Sequence, residues 1–228
     1  MLATTKSLRT TYDREVIAHN EDYARMAMSV IPNGDLKELE LFVVKSDRSE
    51  NSSTKKAKVD KVKKSLTEFA GNINSVLFTP HDVELFTQSP SKRRDYMNSI
   101  FYQIDKGYKR AHRDYRKAMR SRNKLLDKIR EFGTGKDQLP YWDEKIIETG
   151  NLIQKRRKQF LNFVQENING YADDLNLQKV EYEIVYDKNE ISKERILNKR
   201  RAEIGAARTL IGPHRDDFGI KFNGHEIS

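Results

Sequence analysis

Gly212-Pro213-His214-Arg215-Asp216-Asp217 sets an imidazole, a guanidinium and two carboxylates directly behind a Gly-Pro turn. Pro213 fixes its own φ and stiffens the corner. Four ionisable groups are costly to bury and folding alone does not require them, so the stretch reads as a site or as a charged junction. Within it, His214 and Asp216 admit two readings, an acid–base pair or a salt-bridged turn. The other histidines, His19, His81, His112 and His225, are scattered, and none has the i, i+4 spacing of a zinc-binding helix. No metal site is assigned. No Gly-x-Ser-x-Gly elbow supports nucleophilic catalysis, and no catalytic set is assigned either. No GxxxxGK[ST] loop is present and no apolar run ends in Asp-Glu, so nucleotide chemistry would need phosphate-binding parts from elsewhere.

A second pattern is electrostatic. Residues 91–130 carry fourteen Lys or Arg against four Asp, in a chain of 228 residues with formal net charge +9. On a straight helix such a stripe would meet phosphates at several points, which predicts a nucleic-acid partner; the alternative is a solvated helix face. The candidate DNA-binding cations are Lys92, Arg93, Arg94, Arg110, Arg113, Arg116 and Arg120. Tyr96 and Tyr102 are placed to stack on bases, whereas Tyr108 and Tyr115 fall on the apolar seam and read as core. Hydrophobic residues are 36% and charged residues 34%, which suits long exposed helices. The chain has no cysteine, no apolar stretch near the roughly 20 residues of a membrane span, and no secretory signal at Met1-Leu2-Ala3-Thr4. The expectation is a soluble cytoplasmic protein with no membrane partner.

The elements that must position these groups change period along the chain. Ala24, Met26, Met28 and Val30, then Leu39, Leu41 and Val43, alternate on either side of Pro32-Asn33-Gly34, predicting an antiparallel hairpin. The polar stretch from Lys45 to Lys58 predicts a mobile loop, and Ile73–Phe78 a buried strand stopped by Pro80. From Ser89-Pro90 the period becomes helical. Met97, Phe101, Ile104, Tyr108, Ala111, Tyr115, Ala118, Arg122, Leu125, Ile129 and Phe132 form one seam, interrupted in quality by Gly107 and Arg122. After Gly133-Thr134-Gly135, Trp142, Ile146, Thr149, Ile153, Arg156, Phe160 and Phe163 continue the spacing, so two helices should fold back as an antiparallel hairpin. Val180, Tyr182, Ile184 and Tyr186 then alternate as a strand. A charged helix from about Ser192 to Arg201 precedes the corner, and Phe218–Phe222 with its Asn223-Gly224 turn closes the chain.

Several blocks resemble the RecF family of bacterial DNA-repair proteins, in the ABC-type ATPase group that includes the SMC proteins. Lys6–Thr10 (KSLRT) resembles the family's KSHRT, with Leu8 where the family usually has His. Asn72–Asn98 resembles its VLF-x-P-x-D block followed by SP-x-x-RR. Tyr115–Leu126 resembles Y-x-x-x-L-x-x-RN-x-LL, Trp142–Gly150 resembles WDE-x-L-x-x-x-G, and Arg208–Gly224 carries the strongest signature, Gly212 to Asp217 included. The blocks run in family order across nearly the whole chain.

The resemblance implies an α/β fold. It is a split portion of an ABC-ATPase-like (P-loop) head, residues 1–88 and 173–228, with an inserted long antiparallel α-helical hairpin or lid over 89–172. It implies that Arg9, His81 and Asp82 lie near nucleotide. The family's Walker A loop would precede Met1 and its signature loop and Walker B pair would follow Ser228, so an internal stretch of a longer protein is expected. ATP and Mg²⁺ belong to the full-length family, and neither tight binding nor hydrolysis is expected of this chain alone. The implied partners are single-stranded DNA and DNA junctions, a second copy in an ATP-dependent homodimer, and RecO- and RecR-like proteins. The alternatives are a non-enzymatic basic helical DNA-binding module and a structural coiled-coil fragment.

Overall fold

The computed structural model describes residues 1–7, 10, 12–31, 35–46, 52–79, 84–175 and 181–226. Its contacts divide into two compact units, one of residues 1–77 with 99–106 and the other of 78–98 with 107–228.

The first unit is built on a four-stranded antiparallel sheet in the order β1 (Tyr23–Val30), β2 (Lys37–Lys45), β3 (Ser53–Val59) and β4 (Val62–Lys64). The β1–β2 hairpin has the alternation read from the sequence, with Met26 facing Leu41 and Met28 facing Leu39. Its Pro32-Asn33-Gly34 turn lies outside the described residues. One face of β2 is fully buried: Leu39, Leu41 and Val43 are each 0% exposed. Leu39 and Leu41 pack with Ala57 of β3 and Phe69 of α1 (Leu66–Phe69). That short helix is held by a capping box, in which Ser65 Oγ accepts from Glu68 N at 3.2 Å and Ser65 N donates to Glu68 Oε2 at 3.0 Å.

The segment read as a mobile loop is largely strand. Ser53–Val59 pairs along β2 from Lys45↔Ser53 to Leu39↔Val59. Its polar composition misled because a strand lining one side of a core needs few apolar residues: Ala57 alone is buried, opposite Leu41. The lysines contribute through their stems and charges. Lys55 donates to Thr5 O at 2.6 Å and pairs with Asp13, and Lys58 lies 5.4 Å over the Phe42 ring. Asp60 and Lys61, both at positive φ (50° and 66°), make the tight turn into β4.

The reading of Ile73–Phe78 as a buried strand is also corrected. Residues 73–79 have no regular structure, and Val76, Leu77 and Phe78 are 100%, 52% and 76% exposed. Ser75 N donates to the side chain of Gln103 at 2.7 Å, so backbone hydrogen bonding here goes to a helix side chain and not to a ladder.

The helical seam is broken once. α2 (Pro90–Ile104) and α3 (Lys106–Phe132) are separated at Asp105, where Asp105 and Gly107, both poor helix formers, follow each other closely. Ile104, beside the break, is 57% exposed. The remaining seam from Met97 to Ile129 is buried, including Arg122, while Phe132 at the end is exposed.

In the second unit, α3 is followed by Gly133 and Gly135 at positive φ (71° and 93°) and then by α4 (Leu139–Asp174). Arg122 bonds Asp143 near the turn and Tyr108 bonds Arg157 farther from it, so α3 and α4 run antiparallel. The buried face of α4 is not the expected one. Ile146, Gly150, Ile153, Arg157 and Leu161 are buried, whereas Arg156 and Phe163 face solvent. The face is rotated because Asp143, Gln154 and Arg157 find polar partners inside, which an apolar count does not register.

The unit ends in a three-stranded antiparallel sheet, β5 (Tyr182–Asp187), β6 (Asp217–Phe222) and β7 (His225–Glu226), with β6 in the middle and therefore not an unpaired edge. Val180 lies outside the described residues. α5 (Lys193–Ala206) lies between β5 and β6 in sequence and is capped by Ser192, whose Oγ accepts from Arg195 N at 3.2 Å.

Hydrogen exchange tests the reassigned strand. Amides over Ser53–Val59 should exchange at least about 100-fold more slowly than an unstructured chain; exchange at the unstructured rate would restore the loop.

Candidate functional site

The Gly-Pro corner is positioned by its backbone. Gly212 adopts φ +123°, and a Cβ there would lie 2.5 Å from Tyr115 Oη, so neither the conformation nor the space admits a side chain. Pro213–Arg215 form one 3₁₀ turn closed by Arg215 N donating to Gly212 O at 2.9 Å. The turn sends each ionisable group in a different direction.

Asp216 is 1% exposed. Its Oδ1 accepts from Gln154 Nε2 at 2.8 Å and Asn189 N at 2.9 Å, and its Oδ2 accepts from Tyr186 Oη at 2.6 Å and Arg157 Nη1 at 3.0 Å. Burial and the adjacent carboxylate push the Tyr186 hydroxyl well above its ordinary pKa, which keeps its donor proton in place. Arg157, itself 2% exposed, spends its other donors on Pro213 O (2.7 Å), Tyr108 Oη (3.1 Å) and Asn98 Oδ1 (3.2 Å). A buried ion pair whose four carboxylate bonds and four guanidinium bonds all go to the protein is a structural element.

Asp217 takes a bidentate bond from Arg93 at 2.8 and 2.6 Å. Burial opposes ionisation of Asp217, but the Arg93 bonds outweigh it and hold the carboxyl below its usual range. Arg93 also donates to Phe86 O and Gln88 O, and Arg94 to Asp216 O at 2.8 Å.

His214 does not meet Asp216. Its Nδ1 lies 2.7 Å from Tyr115 Oη and its Nε2 lies 3.1 Å from Thr209 O. A carbonyl only accepts, so Nε2 carries the proton and Nδ1 accepts from the tyrosine. Burial, aided by Arg215 and Arg94, lowers the imidazole from 6.5 to about 4. Of the two readings of the corner, the charged junction is the one formed, and the His214–Asp216 acid–base pair is not. Arg215 alone points outward, exposed and without an ion pair among the described residues.

A second buried cluster supports the corner from behind. Arg122, 0% exposed, donates to Asp143 at 2.8 Å, Glu203 at 2.5 Å and Thr209 Oγ1 at 2.9 Å. Asp143 is also paired with Arg200, and Glu203 accepts from Leu210 N at 2.8 Å. Asn123 Oδ1 accepts from both Thr209 N and Thr209 Oγ1 at 2.8 Å. Sequence reasoning missed Arg122, Asp143, Arg157 and Glu203 as partners. The available signal was Arg122 itself, a cation at a seam position, which can persist there only if carboxylates meet it.

The predicted DNA-binding cations separate into two groups. Arg93 and Arg94 are occupied inward, and Lys92 is exposed. On α3, Arg110, Arg113, Arg116 and Arg120 are all exposed, as are Lys117, Lys124 and Lys128. At 3.6 residues per turn these seven fall within roughly a third of the helix circumference. Among the described residues only Arg113 of the seven has a carboxylate partner, Asp114. Arg9, His81 and Asp82 lie outside the described residues. Among those described, no group of three or more His, Asp or Glu is placed to hold a metal ion, and no helix is long and apolar enough to cross a membrane.

Comparison with known proteins gives a consistent assignment. No family model matches the chain. The DNA replication and repair protein RecF of Caldanaerobacter subterraneus subsp. tengcongensis is 33% identical over 174 residues, 72% of this chain and 48% of its own. That of Citrifermentans bemidjiense is 31% identical over 237 residues, 98% of this chain and 62% of its own. A solved structure described as the recombination mediator protein RecF-ATP in the RecFOR pathway superposes with a TM-score of 0.87 at 29% identity, covering 99% of this chain and 62% of that one. A second, described as RecF-ATPrS, gives 0.86 at 28%. The fold is therefore the α/β fold of the RecF ATPase-like proteins. The chain belongs to the RecF family over the stretch it covers, which is about three-fifths of the relatives' length where the match runs the whole chain.

Two stability outcomes follow from the buried groups. Arg122→Ala strands the buried Glu203 carboxylate and leaves Asp143 with Arg200 alone, and should cost about 3–5 kcal/mol in chemical denaturation. For His214, the unfolded chain takes up a proton at about 6.5 and the native ring at about 4. Its contribution is therefore complete above about pH 6.5 and is lost progressively down to about pH 4, by about 3 kcal/mol. His214→Gln should be less stable at pH 7 but flatter across that window; equal slopes would place the dependence elsewhere.

Proposed function

We propose that the chain is the DNA-facing part of a RecF-type protein, an ATP-dependent DNA-binding protein of recombinational repair and replication restart at single-stranded gaps. The observation that carries this is the exposed cationic arc of α3, with six of its seven charges unpaired among the described residues. Along about 27 Å of helix this face carries seven cations, with Asp127 the one acid inside their sector and itself paired with Arg130, an imbalance of sign that matches several successive phosphates. The corner's own carboxylates, Asp216 and Asp217, are paired inward with Arg157 and Arg93.

In this reading residues 1–88 and 173–228 are portions of the ATPase-like head and 89–172 the lid. A nucleotide-proximal role for Arg9, His81 and Asp82, which lie outside the described residues, rests on the family resemblance alone. ATP is the nucleotide of the family, as the solved relative named RecF-ATP supports, and Mg²⁺ is assigned with it. Two copies close on ATP, and RecO- and RecR-like proteins act with the DNA-bound dimer in the cytoplasm, including during the SOS response. Support for the partners comes from the solved relative named as a recombination mediator in the RecFOR pathway. DNA affinity for single strands and junctions is assigned to α3 and not to Arg93 and Arg94, whose charges are spent internally.

Charge reversal tests this. Arg110→Glu, Lys117→Glu and Lys124→Glu together should reduce the slope of log affinity against log salt by about three units for a junction DNA, measured by fluorescence anisotropy. Unchanged affinity and slope, with unchanged circular dichroism, would make the arc a solvated face.

A further inference from the structure

The 208–217 segment is the motif that the buried networks hold most tightly, yet two of its cations take no part in them. Arg208 and Arg215 are both exposed, and neither has an ion pair among the described residues. Their neighbours are pinned to α3. Thr209 is bonded twice to Asn123, and the His214 ring to Tyr115 Oη at 2.7 Å. Asn123 and Tyr115 are eight residues apart on the helix, about 12 Å along its axis. The loop therefore lies along α3, running opposite to it, with Arg208 at the Asn123 end and Arg215 at the Tyr115 end. Arg116 and Arg120 stand at i−7 and i−3 from Asn123, about 20° and about 60° round the helix from it, on the same side as the loop's anchor. Both are exposed. The acidic groups of the loop cannot neutralise this strip: Asp216 is buried against Arg157, and Asp217 is paired with Arg93.

We propose that Arg208 and Arg215 bind nucleic-acid phosphates beside Arg116 and Arg120, so that loop and helix form the two walls of one phosphate track. The inference rests on the reading that the α3 arc binds DNA. It gives the Gly212–Asp217 corner a role beyond stability. Gly212 allows the close approach to Tyr115, His214 and Asp216 lock the turn, and Arg215 is the one charge presented outward. Both arginines are exposed, as suits contacts to a phosphate backbone.

The test compares Arg208→Gln, Arg215→Gln and their double variant with the triple α3 variant described above, using one junction DNA and a salt titration. Each single change should lower the salt slope by about 0.9 unit and the double change by about 1.8, as loss of one and two phosphates requires. Arg215→Lys should restore the slope, and melting temperatures should not move, since both side chains are exposed. Loss of binding in the α3 variant with unchanged binding in both loop variants would overturn the two-walled track while leaving the helix reading intact. Unchanged binding in all of them would overturn both. A lowered melting temperature in Arg215→Gln, not rescued by lysine, would make the residue structural and overturn its assignment.

Discussion

The Arg157–Asp216 pair is the constraint on which the second unit depends. Around it converge α4 through Arg157 and Gln154, α3 through Tyr108, α2 through Asn98, β5 through Tyr186, the following loop through Asn189, and the Gly-Pro turn through Pro213. Two charges taken out of water repay their desolvation only when every remaining donor and acceptor is met. Here that condition fixes the relative placement of the surrounding elements, since displacing any one of them leaves a buried polar atom unpaired. The pair therefore specifies geometry more than it adds stability, and it explains why a segment of such charge density can sit inside the unit.

The same internal accounting of charge sets the character of the surface. Asp143, Glu203, Asp216 and Asp217 are drawn inward by Arg122, Arg200, Arg157 and Arg93. Carboxylates that would dilute the positive field are thereby removed from it. Arg122 apart, the cations of α3 have no such internal demand, because the rest of its buried side is already filled by Tyr108, Ala111, Tyr115, Ala118, Leu125 and Ile129. The basic face and the buried acidic groups are thus two results of one partition.

Much of this was legible from residue order alone. Alternation placed β1 and β2, because a half-buried antiparallel pair must carry its apolar residues at every second position. Seam spacing placed α3 and its buried side. The quoted blocks identified the family, because several rare residue combinations in fixed order do not recur by accident. Composition failed at Ser53–Val59, where a strand protecting one small core residue looks like a loop. An apolar run misled at Ile73–Phe78, which pairs with no strand among the described residues.

What only the tertiary structure decided was the fate of each charge. Arg93, Arg116 and Arg122 are the same residue type within one basic stretch. One is paired at the corner, one is exposed, and one is fully buried. A guanidinium is stable in each place provided its surroundings supply carboxylates or water, and those surroundings come from residues up to 124 positions away in sequence. The sequence determined that this protein is basic, helical in its middle and related to RecF. Which cations are free to meet an anionic partner was settled by which carboxylates folding brought to the others.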